Sequence, residues 1–442
     1  MNLLCLDVGS TWTKGALVSP SGELLGTAQH ATTPPEVLHG IEAVTGALGA
    51  GAAEVLACSS AGGGLRLAVV GQERLVSAEA GYRVALSAGA KVVHVAAGEL
   101  DPAGVAVLRA SRPDLLLLAG GTDGGDEKVL LHNAKRLATS RIGVPVVLAG
   151  NVNARDAALK LLRATGRIVV PTGNVLPDVG ELAPGPARLA IRDMFLRHVI
   201  GGKGLSRGPR FRRLVRMVTP DAVLAGVSRL AAILARQVAQ AGAVLVVDVG
   251  GATTDVYSAV STMDEEVHAV ALPADRRSVE GDIGMRWSAP GVVAEAVAER
   301  LIPVDPALSG AAAELAAHPA RQTSHVDIRL AGLAATLAIR RHLRMVDGRL
   351  GPQGAGLVVL SGGVFRHATS ARLAEVEHVL RTDPVLRPVL RTAAWVVDRD
   401  YVLAPAGLLA DAGHAAAADA LLTAFRSAPG GTAPAGSPAV RR

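Results

Sequence analysis

The sequence predicts an α/β protein of two domains built on one repeated motif, with a further α/β segment inserted in the first. Three observations carry this expectation. The chain has 442 residues, half of them hydrophobic, more than one core of about 150–200 residues absorbs. An apolar strand that runs into Asp, Gly and hydroxyl residues occurs twice, at Leu6–Gly15 and about 240 residues downstream at Val247–Tyr257. Between the copies, the runs Leu115–Gly121, Val144–Gly150 and Arg167–Gly173 each end in a Gly-bearing turn. They alternate with helical stretches, the pattern of βα units in a parallel sheet.

The elements follow in order. Asn2–Val8 reads as a buried strand, and Lys14–Ser19 and Glu23–His30 complete a meander across the Ser19-Pro20-Ser21-Gly22 turn. A helix over Glu36–Leu48 precedes strands at Glu54–Ser59 and Leu65–Gln72. Helices at Asp126–Thr139 and Ala154–Thr165 separate the three apolar runs. A long helix, Pro220–Gln240, leads into the strand Ala243–Val249, followed by strands at Thr253–Val260 and Glu265–Leu272. Ile302–Pro319 reads as a loop with a short helix, Val326–Met345 as a helix, and Gly356–Leu360 as a strand before a helix at Ser370–Arg381. The expected divisions are a first subdomain at 1–75, an inserted subdomain at 76–205, a second domain at 206–426 and a disordered Pro/Gly/Ala/Ser tail at 427–442.

The two repeated turns have the chemistry of a phosphate site. Gly9 permits close backbone approach, and the amides of Gly9, Ser10 and Thr11 can point at an anion as a nest. Lys14 stands where its ammonium reaches the same group, with Thr13 beside it, and Asp7 can hold Mg2+ through water. Asp248, Gly250, Gly251, Thr253, Thr254 and Asp255 repeat this arrangement. Neither loop is a Walker A sequence, and both lead into strands, not into the helix a dinucleotide fold requires. A third element, Ser361-Gly362-Gly363, ends a strand with bare backbone on which an adenine or ribose can lie. In the insert, Gly121, Thr122, Asp123 and Asp126 follow a parallel strand, the edge where α/β sheets place ligands. The alternative reading there is a tight turn before a helix.

With three elements in this order, the chain resembles the actin/Hsp70/sugar-kinase ATPase superfamily. The resemblance implies two duplicated ribonuclease-H-like domains around a nucleotide cleft. ATP would be bound as the Mg2+ complex, with Asp7 and Asp248 at the metal and Asp7, Asp248 and Asp255 arranging the attacking water. Ala119–Gly125, Val175–Gly180, Glu280–Arg286 and Tyr401–Leu409 look like the glutamate mutase accessory family of MutL or GlmL type, over nearly the whole chain. That resemblance implies an ATP-binding, ATP-hydrolysing assistant or reactivator, whose partner is an adenosylcobalamin-dependent mutase.

Composition narrows the alternatives. A net charge of +6 is mild for this length, and Phe211 is the one aromatic residue within the Arg207–Arg216 cluster, so a nucleic-acid groove with base-stacking aromatics is not expected. Apolar stretches are broken well short of a membrane span. Cys5 and Cys58 lie in apolar runs and make neither a zinc site nor a disulfide framework, so the reading is a reducing cytoplasm. They also leave no ligand set for the iron–sulfur cluster of a dehydratase activator. A small-molecule kinase, with Asp123 or Asp126 as base, and an oxoprolinase/hydantoinase-like enzyme remain alternatives. Oligomeric state is open.

Overall fold

The structure is a computed structural model that describes residues 1–427 except 10, 61–64, 75, 89, 196, 198–208, 239–240, 261–274, 320–323, 347, 349 and 352. The first sheet begins with β1 (Leu3–Val8), β2 (Trp12–Val18) and β3 (Leu24–Ala31), an antiparallel meander backed by α1 (Leu38–Ala47). β4 (Glu54–Ser59) then runs parallel to β1. Its fifth strand arrives only at β10 (Val215–Val218), parallel to β4. The second sheet repeats the path with β11 (Ala243–Val249), β12 (Thr254–Ala259), β13 (Asp275–Glu280), β14 (Ala355–Ser361) and β15 (Ala394–Val397). The two orders, β10-β4-β1-β2-β3 and β13-β12-β11-β14-β15, are the same topology written twice.

The insert enters between β4 and β10. It consists of β5 (Arg66–Gly71), α2 (Ser77–Ser87), β6 (Lys91–Ala97), α3 (Pro102–Ala110), β7 (Leu115–Leu118), α4 (Lys128–Thr139), β8 (Val146–Leu148), α5 (Val152–Arg163), β9 (Val169–Pro171) and α6 (Pro184–Met194). Its strands are all parallel in the order β6-β5-β7-β8-β9, with the direction of winding reversed between β5 and β7. β7 is four leucines, all buried, as a strand covered by helices on both faces must be.

Several expectations need amending. β5, read as part of the first subdomain, pairs in the insert's sheet, and β10, read as part of the second domain, completes the first sheet. Short strand segments do not announce their sheet, because pairing partners lie far away in sequence. β6, α2 and α3 were not anticipated. Residues 302–319 hold a full helix, α10 (Pro306–Ala317), started by Pro306 and by Asp305, whose carboxylate accepts from Leu308 N–H at 2.9 Å. The strand expected at Glu265–Leu272 and the tail beyond 427 lie outside the described residues.

The remaining helices join the halves. α7 (Pro209–Leu214) precedes β10, and α8 (Thr219–Gln237) follows it. α9 (Ala289–Ala298), α10 and α11 (Ser324–Met345) cover the outer face of the second sheet, with α12 (Gly363–Arg366), α13 (Ser370–Thr382) and α14 (Arg387–Leu390) between β14 and β15. α15 (Leu403–Asp411) follows β15 as α8 follows β10, and α16 (Ala415–Ser427) closes the chain. α8 and α15 cross at the centre of a shared core that contains Leu3 and Cys5 from the first sheet and Val244 and Val246 from the second. Gly226 lies against the Leu403 carbonyl and Gly407 against the Ala222 carbonyl, so the crossing is itself two-fold.

Candidate functional site

Both repeated turns are tight hairpins. Gly9 N–H donates to the Trp12 carbonyl at 3.0 Å, and Gly250 N–H donates to the Thr253 carbonyl at 2.9 Å. A Cβ on Gly9 would sit 2.8 Å from Trp12 O, and on Gly250 3.0 Å from Thr253 O; any larger residue would pry the turns open. The registers match: Asp7 pairs with Lys14, and Asp248 with Asp255. Thr13 and Thr254 are both fully buried at the equivalent position, Thr13 Oγ1 near Thr32 Oγ1 at 3.3 Å and Thr254 Oγ1 donating to Ile283 O at 2.8 Å. They are therefore loop supports rather than exposed ligands. Ser10 lies outside the described residues. Trp287 packs over Gly251, and Arg286, beside it, is committed to a bidentate pair with Asp327 at 2.8 Å.

The two turns converge. Asp248 lies within electrostatic reach of Lys14, Asp255, Asp7 and Asp398, and its carboxyl is pushed up to about 6. Burial is the main cause; Lys14 opposes it, and the neighbouring carboxylates add to it. No hydrogen bond to the Asp248 carboxylate occurs among the described residues. Asp7 is the opposite case. Thr219 donates to its Oδ1, and Tyr401 O–H donates to its Oδ2 at 2.8 Å. Lys14 Nζ stands 3.9 Å from Asp7 Oδ2 and 3.6 Å from the centroid of the Tyr401 ring, a cation–π contact of about 1–2 kcal/mol. Asp255 Oδ1 is held by the buried Arg277, whose Nε lies at 2.9 Å, while Oδ2 has Thr253 Oγ1 at 3.5 Å.

An unpaired carboxylate near others, raised chiefly by burial and further by their charge, has the chemistry of a ligand for a hard divalent cation. Of these carboxylates Asp248 could hold a cation directly, whereas both oxygens of Asp7 already accept from protein hydroxyls. The third loop adjoins this cluster, since β14 pairs Ser361 with Asp248 and Gly362 rests on the Val249 carbonyl.

Sequence reading gave no site role to four residues here: Thr219, Asp398, Arg277 and Tyr401, the last noted only as the start of a family motif. Thr219 and Asp398 are each the first residue after a fifth strand, so duplication relates them. Asp398 receives Val402 N–H at 2.8 Å at the start of α15, and burial pushes its carboxyl up to about 6. Tyr401 arrives with left-handed backbone (φ 56°). Its signal was available, as one of three tyrosines in a chain with 2% aromatics.

The insert's Gly-rich turn is elsewhere, on the third sheet. Asp123 Oδ1 accepts from Val152 N–H at 3.0 Å and from Asn174 Nδ2 at 2.8 Å. Asp126 accepts from Lys128 N–H and from Gln72 Nε2. Buried Asn151 and Asn174 hold Gly121, Gly124 and Gly125 in place. Cys5 and Cys58 are buried thiols with pKa raised by burial. No group of three or more metal-ligating His, Cys, Asp or Glu side chains occurs among the described residues, and none of their helices is long and apolar enough to cross a membrane.

Two sheets of one topology, a strand-turn loop at each inner edge and a helix crossing between them define the fold of the actin/Hsp70/sugar-kinase class. Within that class the resemblance is specific. The chain belongs to the MutL protein family, which matches residues 3–424. It is 32% identical to protein MutL of Clostridium tetanomorphum, over 92% of this chain and 96% of that protein. Among solved structures it is similar to nucleotide-free acetone carboxylase, at 13% identity and a TM-score of 0.40, over 92% of this chain and 70% of that one. It is also similar to the activator of 2-hydroxyisocaproyl-CoA dehydratase from Clostridium difficile with bound ADPNP, at 10% identity and a TM-score of 0.28, over 96% and 94%.

Proposed function

We propose that this chain is a Mg2+- and ATP-dependent accessory protein that reactivates an adenosylcobalamin-dependent mutase of the glutamate mutase or aminomutase type. The observation that carries the nucleotide half of this reading is the convergence of Asp7, Lys14 and Asp248 from two remote hairpins. Family membership and the motifs shared with mutase accessory proteins support the partner half.

In this reading the residues divide the work. Lys14 leaves the Tyr401 ring for the β- and γ-phosphates, and the amides of the Gly9 and Gly250 turns take the remaining phosphate charge. Asp248 would hold Mg2+, with Asp7 acting through water; the cation supplies charge neutralisation at the phosphates. Asp255, fixed by Arg277, positions the attacking water through Oδ2. Phosphate gripped by both turns favours a closed cleft, because only that state offers contacts from both halves. Closure then alters the surface presented to the mutase.

The test is ATP hydrolysis with and without a candidate cobalamin mutase, for wild type and Asp248→Asn. The expected outcome is stimulation by the mutase and at least a ~100-fold loss in the variant. Wild-type turnover by Asp248→Asn sinks the mechanism, and phosphorylation of a metabolite without any protein partner favours a kinase.

A further inference from the structure

A cavity of about 270 Å3 opens beside the cleft on the face of the first sheet that carries Cys5 and Ala16. Pro405 and Leu408 of α15 form its far wall, and Lys14 and Arg366 stand on its rim. Asp7 and Tyr401 also line it, so it is continuous with the first turn's side of the cleft, while none of the second turn's glycines lines it.

Comparison of the two halves explains why the space exists. Cys5 pairs with Ala16 as Val246 pairs with Tyr257, and Ala16 pairs with Thr27 as Tyr257 pairs with Arg277. Lys14, Ala16 and Thr27 therefore occupy the positions of Asp255, Tyr257 and Arg277. In the second half, the buried Tyr257 ring fills the volume and Arg277 neutralises Asp255. α8 also covers β11, β12 and β13 there, whereas its counterpart α15 packs on β1 and β4. In the first half, the large side chain is alanine and the charge is reversed to an ammonium. The position that should supply its counter-ion is Thr27, which is neutral. The one carboxylate within ion-pair distance of Lys14 among the described residues is Asp7 at 3.9 Å, already engaged by Tyr401 and Thr219, with Asp248 and Asp398 acting on it from farther away. Arg366 donates through Nε to Arg399 O at 2.7 Å, its guanidinium stands 5.8 Å from the centroid of the Tyr401 ring, and its charge reaches Asp398; no salt bridge of it occurs among the described residues. Asp400, also on the rim, is exposed to solvent.

We propose that this cavity binds a small oxyanion, carboxylate or phosphate, which bridges Lys14 and Arg366 where the Arg277 side chain sits in the other half. The apolar floor and wall accommodate a short carbon body. Two sources share this chemistry: inorganic phosphate released in the adjoining cleft, and a free organic acid. Because one ammonium serves both sites, the occupant competes with nucleotide for Lys14. The anion site itself stands whether or not the cleft binds ATP.

Thermal unfolding and calorimetric titration with inorganic phosphate and with succinate, against chloride of equal ionic strength, test the proposal. At saturation at least one of the two raises Tm by about 3 °C or more. Thr27→Glu, an exposed strand position that supplies an internal carboxylate to Lys14, and Arg366→Gln should each weaken binding at least ~10-fold. A response to phosphate alone identifies the cleft's product as the source, and a response to succinate identifies an organic acid. No shift beyond chloride, or a shift undiminished in both variants, overturns the proposal. Titration with Mg·ADPNP runs in parallel: failure there with the anion response intact discards the nucleotide reading and leaves this one standing.

Discussion

Tyr401 shows how much of the site rests on single side chains brought from a distance. It comes from the loop after the last strand of the second sheet, yet its hydroxyl donates to Asp7 on the first strand of the chain, 394 positions away in sequence. Its ring supports Lys14 at the same time. Tyr401→Phe removes only the hydroxyl and leaves a buried carboxylate oxygen with one donor fewer. The expected cost is about 1.5–3 kcal/mol, as for a hydrogen bond to a charged group, read from the midpoint of urea unfolding. Tyr401→Ala also removes the platform under Lys14 and should cost more. The spacing of Asp7, Gly9 and Lys14 was legible because a hairpin fixes which residues face each other across two strands. Tyr401 and Thr219 were not, because no local rule links them to Asp7.

The second sheet is tied to its covering helix by a buried histidine. His342 of α11 has Ser258 Oγ of β12 at 2.8 Å from Nε2 and Ser278 Oγ of β13 at 2.9 Å from Nδ1. It is fully buried, and burial, with Arg276 nearby, lowers its pKa to about 3. In the unfolded chain the ring protonates near the ordinary histidine value of about 6.5. Between these values the unfolded state binds a proton that the folded state refuses. The histidine therefore costs no stability above about pH 6.5 and progressively more as pH falls toward 3. His342→Gln should flatten the pH dependence of unfolding free energy between pH 4 and 6 by up to ~1.4 kcal/mol per pH unit, measured by denaturant titration against wild type. At this scale the sequence performed well where elements are long or bounded by Gly and Pro, as for β11 and α11. It failed at β10, four residues that run straight into α8 with no Gly-bearing turn between, and at β6, which lies in an unremarkable apolar stretch.

The whole molecule turns on the crossing of α8 and α15. Each helix follows the fifth strand of its sheet, and each places a glycine against the other's backbone carbonyl. A Cβ at Gly407 would collide with the Ala222 carbonyl and one at Gly226 with the Leu403 carbonyl. Backbone cannot swing aside as a side chain does, so Gly407→Ala must part the helices and with them the two halves. We expect a loss of about 3 kcal/mol, seen as a lower midpoint in chemical unfolding, with weaker Mg·ADPNP binding because Asp7 and Asp248 separate. The insert is bound into this frame by an ion pair between Arg192 of α6 and Asp221 of α8, at 2.6 Å.

The sequence by itself determined the duplicated hairpins and the residues that face each other across them, because glycine, aspartate and hydroxyl residues act through turn geometry and pairing register, which are local. It also determined the family, through motifs spread along the chain. Tertiary structure alone decided that β10 completes the first sheet, that Tyr401 and Thr219 occupy both oxygens of Asp7, and that Ala16 and Thr27 leave open a space which Tyr257 and Arg277 close in the other half. These depend on chain segments hundreds of residues apart meeting across a helix crossing. Such contacts are set by the packing of the whole core, and no short stretch of sequence encodes them.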